Sequence, residues 1–164
     1  MLYMGKVSPK DIEIFIQSLT TKETEYYDIQ NDHIPETFIY ANGAWDDDKL
    51  VGIGGLAKWY KIFPHPFYMI KESHQGNRLG SRFADLNVAY AKEKGIPFLL
   101  GTVKNGNFRS MKIITNRGHE KICIVNGEYY NILVLDKKWG WIKIILRFLL
   151  PFYSVGKYIV RGEH

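Results

Sequence analysis

Ile70-Lys71-Glu72-Ser73-His74-Gln75-Gly76-Asn77-Arg78-Leu79-Gly80-Ser81-Arg82-Phe83 is the stretch that organises the chain. Just ahead of it, Phe67-Tyr68-Met69-Ile70 is an apolar run of strand length. Behind it, Leu79, Phe83, Leu86 and Tyr90 recur at helical spacing as far as Gly95, a C-terminal stop. The polar loop between them holds Gly76 and Gly80, whose amides can face one point. A helix N-terminus offers N–H groups with no helical acceptor and the positive end of the dipole, a ready anion site. Arg78 and Arg82 add charge, so the stretch predicts a diphosphate cradle. Spacing alone leaves a plain strand-to-helix turn open. Two nucleotide folds are excluded: there is no Gly-x-Gly-x-x-Gly, and no Gly-Lys-Ser/Thr closes the loop.

Outward from this centre, the strand-like Pro97–Val103 precedes a helix over Asn107–Gly118. Gln75-Gly76-Asn77-Arg78-Leu79-Gly80 resembles the Gln/Arg-x-x-Gly-x-Gly/Ala loop of the GNAT superfamily of acyl-CoA N-acyltransferases. Asn107-Phe108-Arg109-Ser110, followed by Gly118-His119, resembles that family's Asn-x-x-Ala/Ser helix ending in Gly-Phe. The two motifs keep the family's order and separation. The resemblance covers about residues 1–136 and is strongest from Phe67 to Gly118.

The resemblance implies an α+β fold with a mixed, mostly antiparallel central sheet flanked by helices. It also implies acetyl-CoA (CoA) as cofactor. The cofactor's arm would lie along the fourth strand, with main-chain hydrogen bonds from Met69, Ile70 and Lys71. Gln75, Gly76, Asn77, Arg78, Leu79, Gly80 and Ser81 would hold the diphosphate. Asn107 and Ser110 would sit by the arm or the adenine end. The reaction implied is direct attack of an amine on an acetyl thioester, and it needs a base for the amine proton. Glu72 is the first candidate, since a buried glutamate can have its pKa raised toward neutrality; His74 is the other. Three positions depart from the family. Ile114 stands where a tyrosine acid is common, so Tyr130, or else Tyr68 or Tyr129, is expected to substitute. Arg78 replaces the loop's middle glycine and is tolerable with a negative φ. His119 replaces the phenylalanine after Gly118.

Bulk properties set the bounds. A chain of 164 residues suits one domain over 1–136 with a C-terminal extension over 137–164. With 46% hydrophobic and 24% charged residues it is globular rather than disordered. The net charge of +5 is mild, suited to an anionic cofactor or a membrane surface, and no window is basic enough for nucleic acid. One cysteine, Cys123, excludes an internal disulfide and points to a reducing cytoplasm; a small buried hydrophobe is the expected role. Met1–Lys6 lacks the apolar region of a secretion signal. No apolar run reaches the length of a membrane span.

Taken in order, Leu2-Tyr3-Met4 predicts a strand and Ser8-Pro9-Lys10-Asp11 a helix start. Ile12, Phe15, Ile16 and Leu19 form that helix's apolar stripe. Thr20–Glu36 is polar and aromatic and by itself reads as a surface loop or short helix. The resemblance implies that this region walls the acceptor site, which makes Glu25, Tyr26 and Tyr27 the substrate-contact candidates, with His33 nearby. Phe38–Trp45 and Lys49–Trp59 form a hairpin across Asp46-Asp47-Asp48, where aspartate serves the turn rather than a metal. Gly52, Gly54 and Gly55 mark a bulge or a close backbone approach, and Phe63-Pro64-His65-Pro66 ends that strand and starts the next. Asn126-Gly127 joins Glu120–Val125 to Tyr129–Leu135 as a hairpin.

In the tail, Trp139, Ile142, Leu146, Leu149 and Leu150 lie on one side of a helix ending at Pro151, where they cap the core or make a dimer contact. A membrane-surface role is the less favoured alternative. The expected partner is a small-molecule or peptide amine. Acyl-CoA sensing without transfer is the competing reading.

Overall fold

Ser8 starts the first helix: its Oγ accepts from Asp11 N at 3.2 Å while the Asp11 carboxylate accepts from Ser8 N at 2.7 Å. This reciprocal cap satisfies two otherwise unpaired amides. The computed structural model describes residues 1–27, 38–59 and 63–161, with the side chains of 25–27, 59 and 152–161 outside that description. It divides into two units, Met1–Tyr90 and Ala91–His164.

The first unit runs β1 (Leu2–Lys6), α1 (Pro9–Gln17), α2 (Thr21–Tyr27), β2 (Phe38–Asp46), β3 (Lys49–Trp59), β4 (Phe63–Ile70), a 3₁₀ turn (Glu72–His74) and most of α3 (Leu79–Glu93). Its four strands pair in the order β1-β2-β3-β4, every pair antiparallel. Asp47, at φ +51, makes the β2–β3 turn, as expected of an aspartate there. Side chains alternate across the sheet. Ile53, with Met69 and Phe67 beside it, packs on Ile12 and Phe15 of α1. Ala44, Val51 and Ile70 pack on Leu79 and Phe83 of α3.

Two glycines of β3 permit close approaches, and the one at Gly55 is the backbone approach anticipated from sequence. A Cβ on Gly54 would lie 2.5 Å from the Phe83 ring, so that glycine lets α3 sit directly on the sheet. A Cβ on Gly55 would lie 1.9 Å from the Tyr40 carbonyl oxygen, where the β2–β3 register shifts between Phe38 and Tyr40.

The fourth strand starts within Phe63-Pro64-His65-Pro66, as expected, and is longer than the Phe67–Ile70 apolar run alone. It begins at Phe63 and runs through Pro64 and Pro66. Lys71 N donates to Val51 O at 2.9 Å. Counting back from that pair, Pro64, Pro66, Tyr68 and Ile70 fall at alternate positions whose main-chain groups point away from β3. The prolines therefore cost the β3–β4 ladder nothing, as edge positions allow.

The second unit holds β5 (Phe98–Lys104), α4 (Phe108–Thr115), β6 (Glu120–Val125), β7 (Glu128–Val134), a 3₁₀ turn (Lys137–Trp139) and α5 (Ile142–Arg161). Its strands pair in the order β5-β7-β6, all antiparallel. Asn126 and Gly127, at φ +51 and +75, make the predicted two-residue hairpin. Ile142, Leu146 and Leu150, one helical turn apart, bury the inner side of α5, which packs on β6. The α+β class, the antiparallel pairing and the presence of a C-terminal helix follow expectation; α5 runs on through Pro151 rather than ending there, and the strands pair within each unit. Among the described residues, no helix is long and apolar enough to cross a membrane.

Candidate functional site

The loop after β4 is the candidate anion cradle. Gly76 stands at φ +90 and Arg78 at φ +59. The helical ladder of α3 begins only where Arg82 N donates to Arg78 O at 3.1 Å. The amides of the first turn thus point out of the helix's positive end. Leu79 and Phe83, 1% and 0% exposed, hold that turn against the sheet. Asn77 Nδ2 donates to His74 O at 3.3 Å, bracing the loop from within. The Arg78 side chain is exposed beside these donors, and Gly76 faces open space. Helix-terminal amides with guanidinium charge match a diphosphate group.

Arg78 takes the positive φ that the sequence reading marked as strained. A non-glycine residue in the left-handed region costs about 1–2 kcal/mol. Glycine in turn loses roughly 0.5 kcal/mol in chain entropy. Arg78→Gly is therefore expected to gain about 1 kcal/mol and raise the melting temperature by roughly 2–4 °C for a chain of this size, measurable by scanning calorimetry without ligand.

Main-chain contacts from β4 also need revision. Lys71 N donates to Val51 and Lys71 O accepts from His74 N at 2.8 Å, so both of its main-chain groups are used within the fold. Met69 pairs with Ile53, two positions back along the ladder, so its main chain faces β3 as well. Only Ile70 of the three expected residues directs its main chain to the outer edge.

The Glu72 carboxylate is 60% exposed and lies 2.6 Å from Lys22 Nζ, so it is not the buried glutamate that the base role called for. His74 Nε2 lies 3.3 Å from Asp46 Oδ2, and its Nδ1 is 2.8 Å from Ser73 Oγ.

The buried carboxylate here is instead Glu23, 7% exposed. Its Oε2 accepts from Thr20 N at 2.8 Å and Thr20 Oγ1 at 3.0 Å, and its Oε1 accepts from Glu72 N at 2.6 Å. Burial pushes the carboxyl pKa up, but these donors and Lys71 nearby hold it below the ordinary carboxylate value. Glu23 caps α2 and ties that helix to the entry of the cradle. Thr20-Thr21-Lys22-Glu23 carries the capping-box pattern that would have revealed this. Asn87 was also missed. It is 1% exposed on α3, with Nδ2 3.4 Å from Phe67 O and no partner for Oδ1 among the described residues. Glu25, Tyr26 and Tyr27 end α2 with side chains outside the described residues, and so does His33 entirely.

The remaining candidates belong to the second unit. Asn107 caps α4, its Oδ1 accepting from Ser110 N at 3.1 Å. Ile114 is buried on the same helix, 8% exposed. Tyr130 is buried on β7, opposite Thr102 of β5 and Cys123 of β6. The Cys123 thiol is half-buried and its pKa is pushed up by burial, which disfavours a thiolate.

His119, 8% exposed, has its Nδ1 2.8 Å from Asn131 Oδ1, and Asn131 Nδ2 donates to Gly101 O at 3.0 Å. Because the partner is an acceptor, Nδ1 carries the proton. Burial lowers the imidazole pKa below its ordinary 6.5; the Asn131 hydrogen bond opposes this and Arg117 adds to it. The unfolded chain then binds the proton more readily. Stability is full above about pH 6.5 and falls as the pH drops toward the folded-state value. His119→Phe is expected to flatten the melting temperature between about pH 7.5 and 5.5, while the wild type declines. An unchanged slope would remove His119 as the cause.

Residues 10–118 match the model of the Acetyltransferase (GNAT) family. No curated protein matches the chain. Among solved structures, yncA from Salmonella typhimurium, determined with its cofactor acetyl-CoA, superposes with a TM-score of 0.65 at 12% identity, covering 83% of this chain and 95% of that one. The PaiA N-acetyltransferase of Thermoplasma acidophilum, in complex with coenzyme A, gives 0.63 at 14% identity over 82% and 99%. The ribosomal-protein-S18-alanine N-acetyltransferase of Escherichia coli gives 0.62 at 10% over 83% and 95%. These likenesses establish the shared fold. The family match covers most of the chain, including the β4–α3 cradle and α4. The chain belongs to the acetyltransferase (GNAT) family.

Proposed function

We propose that this protein transfers the acetyl group of acetyl-CoA to a primary amine of a small molecule or peptide. The observation that carries the reading is the cradle: α3's first-turn amides beside Arg78, at the end of an edge strand. Its donors fit the diphosphate of coenzyme A, and the arm is assigned to β4 at Ile70. Asn107 and Ser110 are assigned to the arm or the adenine end, and Glu25, Tyr26 and Tyr27 to the acceptor. When bound, the cofactor supplies an activated thioester.

The chain's own part is to hold that group still and move protons. Glu72 is assigned the amine proton, which requires its carboxylate to leave Lys22 or to act through water. Tyr130 is assigned the return of a proton to the leaving thiolate. If these assignments hold, Glu72→Gln and Tyr130→Phe each lower kcat and leave stabilisation by CoA unchanged. An unaltered kcat removes that residue from the reaction.

A ligand that binds only the folded chain stabilises it in proportion to the logarithm of its concentration. At ten times its dissociation constant CoA should add about 1.4 kcal/mol and raise the melting temperature by roughly 3–6 °C. Acetyl-CoA should do the same, and thiol should appear when the right amine is added. No shift with either ligand at millimolar concentration would refute the reading.

The buried Ile114, standing where the resemblance placed a tyrosine acid, favours one competitor, an acyl-CoA sensor. A thermal shift without thiol release across a broad amine panel would select it.

A further inference from the structure

The C-terminal helix has two apolar sides, and the fold uses one. Ile142, Leu146 and Leu150 are buried. Trp141, Ile144, Ile145, Phe148 and Leu149 are 51%, 64%, 42%, 66% and 57% exposed. At 100° per residue the last four occupy one continuous arc, away from the buried stripe. Five large apolar side chains gathered on one surface exceed the scattered exposure expected of a soluble domain.

Charge identifies what covers that arc. Residues 137–161 contain Lys137, Lys138, Lys143, Arg147, Lys157 and Arg161 but no aspartate or glutamate. Those six of the chain's 22 basic residues, with none of its 17 acidic ones, account for the net charge of +5 and leave the rest close to neutral. Glu120 takes up Lys143 and Asp136 takes up Lys138, while Arg147 is exposed beside the apolar arc. Trp141, just ahead of α5, stacks on Trp139 of the preceding 3₁₀ turn at 5.6 Å, placing two indoles at the N-terminal end of the helix, and indoles favour the boundary between water and lipid. A second copy of this chain would bring an equally basic helix against the first and meet repulsion.

We infer that the exposed side of α5 docks on the surface of an anionic lipid bilayer, lying in the headgroup region. The helix does not cross the membrane: no described helix is long and apolar enough to do so. Binding draws on apolar insertion and on attraction of the basic residues, each basic residue near an anionic surface strengthening it roughly fivefold.

The test is co-sedimentation of the full chain with phosphatidylcholine vesicles, with and without phosphatidylglycerol, at low and high salt. Partition should be at least about tenfold stronger onto the anionic vesicles and should weaken with salt. Phe148→Glu/Leu149→Glu, checked for folding by circular dichroism, should lose about tenfold or more. The comparison of vesicles stands on the wild type alone, should the variant fail to fold. Equal or absent binding to the two vesicle types overturns the inference, as does a folded double variant that binds like wild type. A dimer that this variant dissolves, with no vesicle binding by either protein, assigns the face to a second copy instead.

Discussion

Gly55→Ala is expected to destabilise the first unit by about 3 kcal/mol or more, the upper end for an overpacked interior. The added Cβ would stand 1.9 Å from Tyr40 O and 2.8 Å from Ala41 Cα. Both neighbours are backbone atoms, so no rotamer change relieves the overlap, and β2 can withdraw only by giving up its pairing with β3. Gly54→Ala is the informative comparison. Its Cβ meets only the Phe83 side chain, at 2.5 Å, and α3 can shift by a few tenths of an ångström. A cost of about 1–3 kcal/mol is expected there. Phe83→Leu should recover part of it in a double-mutant cycle, because the two residues touch. Urea unfolding of wild type and the four variants measures all of this. A Gly55→Ala chain as stable as wild type would mean that the β2 bulge is not held as described.

Glu23→Ala is expected to cost about 2–4 kcal/mol, the sum of a lost helix cap and a lost hydrogen bond to a buried carboxylate. The change leaves Thr20 N and Glu72 N without their acceptor. Its consequence reaches the cradle, since Glu72 opens the turn leading to Gln75. On the proposed function, CoA should therefore stabilise the variant less than it stabilises wild type.

Acid titration separates the charge from the shape. The Glu23 pKa is depressed in the folded state, so its contribution is present above the ordinary carboxylate value of 4.5 and is lost as the pH falls through the folded-state value. Glu23→Gln keeps the shape and should lack that acid-dependent loss. Identical acid curves for the two proteins would place the carboxylate's role elsewhere.

Some of this molecule was legible residue by residue. Ser8 with Asp11, and Asn126 with Gly127, act over three residues or fewer, and the local backbone has one cheap way to satisfy them. The recurrence of Leu79 and Phe83 announced α3, and the polar loop ahead of it announced the cradle. Glu23 was equally local and simply went unread. His119 was noticed only as a departure from a motif, because its partner, Asn131, lies on another strand.

The amino-acid order by itself determined where elements start and stop, which side of each is apolar, and the loop that marks the family. Those depend on side-chain period and on backbone preferences within a turn or two. Only the tertiary structure decided which way alternate main-chain groups of β4 face, since that is a matter of register with β3. It alone set Arg78 in a left-handed conformation, exposed Glu72 while burying Glu23, and split the apolar residues of α5 into a buried stripe and an open face. Each of those depends on what stands opposite a residue in space, and periodicity carries no record of a neighbour fifty positions away.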